Sequence, residues 1–180
     1  VVVLNPILKK AGIRRVVTST YQSVSGAGQK GLDELSDQVQ QLFNQRDVVV
    51  SKFPHQIAFN CIPQIDDFVA NGYTKEEMKV VDESRKILGA PELKISATAV
   101  RVPVFCSHSE SVNVETVEPL SAEEARELLR QSPGVIVIDS PSEKLYPLPV
   151  SCAGTDATFV GRIRNDISVD DGQGLAMWVV

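Results

Sequence analysis

Apolar residues recur along the chain at two distinct periods. Between Gln29 and Gln45, Leu32, Leu35, Val39, Leu42 and Phe43 fall at helical spacing, which predicts an amphipathic helix with one buried stripe. A second helix is predicted over Thr74 to Leu88, where Thr74-x-x-Glu77 forms a capping box and Gly89-Ala90-Pro91 a stop. Ser121-x-x-Glu124 opens a shorter helix that runs to Arg130 and ends at Ser132-Pro133-Gly134. Residues 1 to 11 read as the end of a helix, with Lys9 and Lys10 at its negative pole and Gly12 after it.

The other period is that of strands. Runs of β-branched and apolar residues predict strands at 13–20, 47–51, 93–105, 108–117, 135–138, 157–167 and 174–180. Asp170-Asp171-Gly172 marks the turn between the last two. Lys52 to Phe68 is apolar but holds two prolines and no clean period, so it is expected to be irregular and largely buried. Pro141 to Pro149 reads as a long surface loop that reaches toward another subunit. Helices grouped against mainly hairpin-connected strands predict an α+β domain, a mixed, largely antiparallel sheet covered by helices on one face.

At 180 residues, with no internal repeat and no low-complexity linker, the chain is expected to fold as one domain over residues 1–180. The opening Val1-Val2-Val3-Leu4 lacks an initiator methionine, and the close on Met177-Trp178-Val179-Val180 lacks a polar tail. Both ends read as those of a domain excised from a longer polypeptide. A formal charge of -5 without a basic block argues against nucleic acid or an anionic membrane as partner. No apolar run approaches a membrane span. Three dispersed cysteines, Cys61, Cys106 and Cys152, form neither a disulfide framework nor a zinc cage, so a reducing cytoplasm is the simplest setting. Cys61 and Cys152 sit among apolar or small residues and are expected to be buried.

Chemistry concentrates in Ser96 to Thr116, which reads as strand yet carries Arg101 and one of the two histidines, His108. A fixed cation and a group that titrates near neutrality suggest an anion site with a proton shuttle. Their odd separation would send them to opposite faces of an unbroken strand, so one shared site requires a break between Pro103 and His108. The plain rival is a hairpin with exposed polar residues. A second candidate is the polar, glycine-rich loop Thr20 to Gly31. Gly26-x-Gly28-x-x-Gly31 matches the dinucleotide fingerprint literally, with Asp47 at ribose distance, but Ser19 to Ser25 intervene where the fingerprint needs a tight turn. Such a loop can still approach a phosphate or a planar ring closely. Read alone, Glu76 and Lys79 are an i,i+3 pair on a solvated helix face, Gln22 carries no signal, and His55 is structural or exposed.

Four segments in register resemble one family. Thr20-Tyr21-Gln22-Ser23-Val24-Ser25-Gly26-Ala27-Gly28, Asn60-Cys61-Ile62-Pro63-Gln64-Ile65-Asp66, Glu76-Glu77-Met78-Lys79, and Arg101-Val102-Pro103-Val104 with His108-Ser109-Glu110-Ser111 together resemble aspartate-semialdehyde dehydrogenase. The resemblance covers essentially the whole chain. It implies a domain like the carboxy-terminal domain of glyceraldehyde-3-phosphate dehydrogenase, and a homodimer. It also implies NADP-dependent reductive dephosphorylation of aspartyl-β-phosphate to aspartate semialdehyde and phosphate, on the route to lysine, threonine and methionine. A cysteine attacks the acyl phosphate to give a thioester, which hydride then reduces.

By that resemblance His108 is the general acid/base and Gln22 orients substrate and thiol. Arg101 would clamp the substrate α-carboxylate, Glu76 would receive its ammonium, and Lys79 would face the phosphate. Ser25, Gly26 and Gly28 match the loop that lies against the cofactor. Cys106 matches a strand position, not the nucleophile. The family's Asn-Cys-Ser/Thr nucleophile motif does not occur here, and most of the NADP site belongs to an amino-terminal Rossmann domain outside these residues. A helix that follows this domain in the family also has no counterpart. The fragment is therefore expected to fold and dimerise but not to turn over. The alternatives are a non-catalytic assembly module, or a related acyl-phosphate reductase such as N-acetyl-glutamyl-phosphate reductase, which the Arg101 to His108 pattern and Glu76-x-x-Lys79 disfavour.

Overall fold

The β-branched run Ile13–Gln22 (β1) forms the longest strand of a six-stranded sheet in the computed structural model, which describes residues 1–180. Its even positions Val16, Thr18, Thr20 and Gln22 are buried, the period-two signature of a sheet with one covered face. The chain runs α1 (Leu4–Ala11), β1, a 3₁₀ turn (Val24–Ala27), α2 (Gln29–Phe43), α3 (Lys75–Leu88), β2 (Lys94–Arg101) and β3 (Ser109–Thr116). Then follow α4 (Ala122–Arg130), β4 (Val135–Val137), a 3₁₀ turn (Pro141–Glu143), α5 (Pro149–Cys152), β5 (Thr158–Asn165) and β6 (Gly174–Val179).

The sheet order is β2-β1-β3-β6-β5-β4. β1 lies parallel to β2 and antiparallel to β3, β6 pairs antiparallel with both β3 and β5, and β4 pairs parallel with β5. The sheet is thus mixed and mostly antiparallel, as expected. Its connections are less hairpin-like than the strand spacing suggested, because β2 and β3, successive in sequence, have β1 between them.

One face of the sheet carries the main core. Ile7 of α1, Leu129 of α4 and Val16, Val114, Leu175 and Met177 of the strands are almost completely buried there. Each such side chain contributes roughly 1.5–3 kcal/mol of burial. Two capping boxes start helices as read: Thr74 and Glu77 exchange hydrogen bonds at α3, Ser121 and Glu124 at α4. Each cap is worth about 1 kcal/mol. Gly89 ends α3 in the left-handed conformation at φ 63°. Near the other end of the sheet, Gly161 and Arg164 of β5 flank a bulge with Arg162 at φ 53°. The Asp139 carboxylate accepts the Arg162 and Ile163 N–H groups and pairs with Arg126, so the bulge leaves neither donor orphaned.

Two sequence expectations fail in the segment after α2. Residues 47–51 form no strand. Their polar backbone is held instead by α2 side chains: Gln41 accepts Val49 N–H, Gln38 donates to Val49 O, and Glu34 accepts Ser51 N–H. Residues 52–68 are irregular as read, but mostly exposed. Phe53, Ile57, Ala58, Ile62 and Ile65 alone are buried, and the first four join Val24 and Leu35 in a second, smaller core. The buried face of α2 accordingly includes Glu34 and Gln38 beside Leu35, while Phe43 stays exposed and meets Phe59 edge-on at 6.0 Å.

Candidate active site

Gln22 ends β1 and Arg101 ends β2, and the two are register partners across the parallel pair. His108 immediately precedes β3, which flanks β1 on its other side. To reach β3 from β2 the chain must cross the end of β1. Residues 102–108 do so, taking hydrogen bonds from Val24 N–H to Val104 O and from Ser25 N–H to Phe105 O. The strand therefore stops at Arg101 itself, earlier than the break expected between Pro103 and His108. Ser107, at φ 66°, turns the chain into His108. Strand parity is no obstacle, because Arg101 and His108 sit on either side of β1 at the same sheet end.

Ser23 joins these groups. It is fully buried. Its carbonyl accepts Arg101 Nη1 at 2.6 Å, its N–H donates to His108 Nδ1 at 3.2 Å, and its hydroxyl lies 3.1 Å from Nδ1 and 2.9 Å from Ser25 Oγ. Because a backbone N–H can only donate, Nδ1 is an acceptor, and the neutral imidazole carries its proton on Nε2. Gln22 Nε2 donates to Glu76 Oε1 at 3.2 Å, tying the end of β1 to α3. The first turn of α3 is itself fixed, because the buried Glu77 carboxylate accepts Ala99 N–H on the free edge of β2. On that edge Ile62 exchanges both backbone hydrogen bonds with Arg101, each at 2.9 Å.

A cleft of about 790 Å³ opens over this sheet end. Gln22, Gly26, Glu76, Lys79, Arg101 and His108 all line it. Ser25 and Gly28 lie on the 3₁₀ turn and at the start of α2, beside Gly26. A Cβ on Gly26 would meet Arg101 Nη1 at 3.0 Å and His108 Nε2 at 3.4 Å, so glycine is what lets this turn approach both groups. Arg101 is buried yet has no carboxylate at ion-pair distance. Burial lowers its pKa, an effect that Glu76 partly offsets. An unpaired buried guanidinium with donors to spare is matched to an anionic ligand. His108 is exposed at the cleft, but its inner edge is desolvated. That burial and, next, the Arg101 charge hold its pKa below the usual histidine value, against the opposing pull of Glu76.

The cleft also includes residues to which the sequence reading assigned no role. Lys52, Gln64, Asp66 and Asp67 line it, Asp67 being paired with Lys75 at 2.7 Å. Ser23, Gln64 and Asp66 stand within the segments that carry the family resemblance but have no role of their own there, and nothing marked Lys52. Among the cysteines, Cys152 is buried as expected, whereas Cys61 is exposed. Cys61 precedes the bridge residue Ile62, whose side chain takes the interior position and leaves the cysteine outside. Cys106 lies in the exposed crossing loop and not in a strand.

Comparison with known proteins places the chain. Residues 4–180 match the family model "Semialdehyde dehydrogenase, dimerisation domain". Aspartate-semialdehyde dehydrogenase of Aquifex aeolicus is 53% identical over the whole chain, which corresponds to 53% of that protein. A structure of aspartate semialdehyde dehydrogenase II from Vibrio cholerae complexed with ASA is 47% identical, with a TM-score of 0.93 over 98% of this chain and 52% of that one. A more distant structure, aspartate semialdehyde dehydrogenase with NADP from Candida albicans, is 25% identical with a TM-score of 0.67 over 98% of this chain and 48% of that one. The chain spans about half the length of the relatives it matches. It belongs to the semialdehyde dehydrogenase dimerisation-domain family.

Proposed function

We propose that these residues are the substrate-binding and dimerisation domain of an NADP-dependent aspartate-semialdehyde dehydrogenase, forming one domain over residues 1–180. The carrying observation is the buried, unpaired Arg101 facing a cleft that also holds His108, Gln22 and Glu76. Arg101 clamps the substrate α-carboxylate through its free guanidinium edge. Glu76, held by Gln22, receives the ammonium, and Lys79 faces the phosphate across the cleft. His108 handles protons through Nε2, the nitrogen not engaged by Ser23. With its hydrogen on Nδ1 and Nε2 free, it takes the proton of a thiol that attacks the acyl phosphate, phosphate departs, and the proton later returns to the reacting oxygen or sulfur. That thiol belongs to no residue here, so the 180 residues alone are expected to be inactive.

NADP, when bound, supplies hydride. The residues that would meet it are Ser25, Gly26 and Gly28. A Cβ on Gly28 would find nothing within 4 Å, so the backbone there is open to a flat ring. This fits the edge of a cofactor whose phosphates are held elsewhere.

The partner in assembly is a second copy. The sheet face away from the helices exposes Val17, Tyr21, Thr98, Val100, Ser111 and Trp178 to varying degrees. The Pro141–Pro149 segment borders it, accepting Trp178 Nε1–H at Pro147 O. A broad face that is neutral and aromatic apart from the Arg15–Glu115 ion pair on the same side is what an isologous interface uses.

The test is an assay of the full-length protein for NADP-dependent, phosphate-requiring oxidation of aspartate semialdehyde. Activity that falls at least a hundredfold in His108→Ala supports the reading. No activity, or full activity in that variant, overturns it.

A further inference from the structure

We propose that Ser23 is a positioning residue that lets His108 change proton state, working with Ser25 as a two-hydroxyl relay. The inference rests on the proposed role of His108 and deepens it.

The resting geometry leaves His108 a donor at Nε2. With Ser23 N–H aimed at Nδ1, the neutral ring places its hydrogen on Nε2, where it can be given to an oxyanion or thiolate but cannot accept a proton. To take a thiol proton, Nε2 must be free, and the ring must then carry hydrogen on Nδ1 before and after the transfer. An Nδ1–H would point at a backbone N–H, donor against donor. The hydroxyl at Nδ1 able to accept that hydrogen is Ser23 Oγ, 3.1 Å away, and the Ser107 carbonyl is a further acceptor beside the ring.

A hydroxyl can face either way. When Nδ1 is an acceptor, Ser23 O–H donates to it and Ser25 O–H donates to Ser23 Oγ. When Nδ1 carries hydrogen, Ser23 Oγ accepts it and turns its own O–H toward Ser25 Oγ, 2.9 Å distant. The hydrogen on Nδ1 is the one that Ser23 O–H passes to the ring; Ser23 Oγ is refilled from Ser25 O–H, Ser25 takes a proton from water on its half-exposed side, and Nε2 gives up its own hydrogen to water in the cleft. Ser23 is fully buried, so water is not at hand to substitute for its hydroxyl. Its carbonyl is also held by Arg101, which keeps the residue in place while its hydroxyl turns.

The charges around the ring make this accommodation necessary. Arg101 from β2 opposes an imidazolium and Glu76 from α3 favours it. Lys79 of α3, Lys52 and the carboxylates Asp66 and Asp67 line the same cleft. Glu110 of β3 and Cys152 line a further cavity that His108 borders.

The test uses the full-length enzyme and pH profiles of kcat and kcat/KM for aspartate semialdehyde with inorganic phosphate and NADP. Ser23→Ala keeps the backbone N–H but removes the hydroxyl acceptor for Nδ1–H. The imidazolium is then disfavoured, so the acidic limb of kcat/KM moves to lower pH. At neutral pH kcat is expected to fall about tenfold or more, with the substrate KM changed less than threefold. Ser25→Ala is expected to act in the same direction and more weakly. Ser23→Thr, which keeps the hydroxyl, is expected to restore the limb to its original position. A Ser23→Ala enzyme with the wild-type pH profile, or one impaired through KM alone, overturns the proposal. If His108→Ala is fully active the functional reading fails first. If His108→Ala is inactive while Ser23→Ala is normal, this inference alone fails.

Discussion

Gln22 and Arg101 stand opposite each other as the last register partners of two parallel strands. A neutral amide tied to a carboxylate and a guanidinium without an acidic partner thus project from neighbouring strands, whose backbones lie about 4.8 Å apart, into one cleft. That juxtaposition is suited to an amino acid, whose carboxylate and ammonium lie on one carbon. The match carries a first prediction. Arg101→Lys keeps the charge but loses the planar fork, and KM for aspartate semialdehyde is expected to rise at least tenfold in the full-length enzyme, by steady-state kinetics. An unchanged KM would remove Arg101 from the carboxylate site.

The pKa of His108 is held down by burial and by Arg101. Removing the opposing negative charge in Glu76→Gln should therefore lower it further, seen as a shift of the imidazole NMR titration to lower pH. The sign for stability follows from linkage. Between the folded pKa and the ordinary value of 6.5, the unfolded chain holds a proton that the folded chain does not. This group's contribution to stability is therefore present above that window and lost as pH falls through it. A midpoint of thermal unfolding that rises on acidification across the window in wild type, but not in His108→Ala, would contradict this.

Gln38 is buried on α2 and spans the second core. Its Oε1 accepts Ile57 and Ala58 N–H, and its Nε2 donates to Glu34 and Val49 O. Gln38→Ala strands two donors and a carbonyl, so the fold should lose about 2 kcal/mol or more in denaturant titration. Lys52 and Phe53 line the cleft beyond this anchor, so substrate KM should rise as well.

Gly26→Ala places a methyl group at 3.0 Å from Arg101 Nη1. The fold should tolerate this with little change in thermal midpoint, because the turn is exposed and Gly26 does not need a positive φ. Catalysis should not, with kcat/KM expected to fall at least tenfold as Arg101 and His108 are pushed apart.

Tyr21 and Trp178 pack with ring centroids 5.3 Å apart and planes tilted by 47° on the uncovered sheet face. Tyr21→Asp would place a charge within the proposed interface. Sedimentation is expected to show a dimer for wild type and a monomer for the variant. A wild-type monomer would reject the assembly reading.

Legibility in the sequence followed the range of the interactions. The capping boxes at Thr74 and Ser121 were readable because their partners are three residues away. Strand order was not, since β2 and β3 follow one another in sequence and only tertiary pairing inserts β1. Residues 47–51 look like strand by composition, yet Gln38, Gln41 and Glu34 took the bonds that a neighbouring strand would have made. Arg101 and His108 were visible as residue types that are costly to bury. Ser23 was not, because an unremarkable serine beside a glycine turn gives no sign that its amide, carbonyl and hydroxyl all serve other residues.

The crossing of β1 by residues 102–108 also bears on how the chain comes to be functional. The bonds that build the cleft join residues far apart in sequence, 54 positions for Gln22 to Glu76, 78 for Ser23 to Arg101 and 85 for Ser23 to His108. Each requires closure of a long loop before any local gain is felt. A chain halted before β3 can hold its capped helices and carry every residue of the carboxylate clamp, yet have no acid/base group beside them. Competence at this cleft therefore needs β1 flanked on both sides, so that proton transfer, and not binding of an anion alone, reports that β3 has joined β1 and β2.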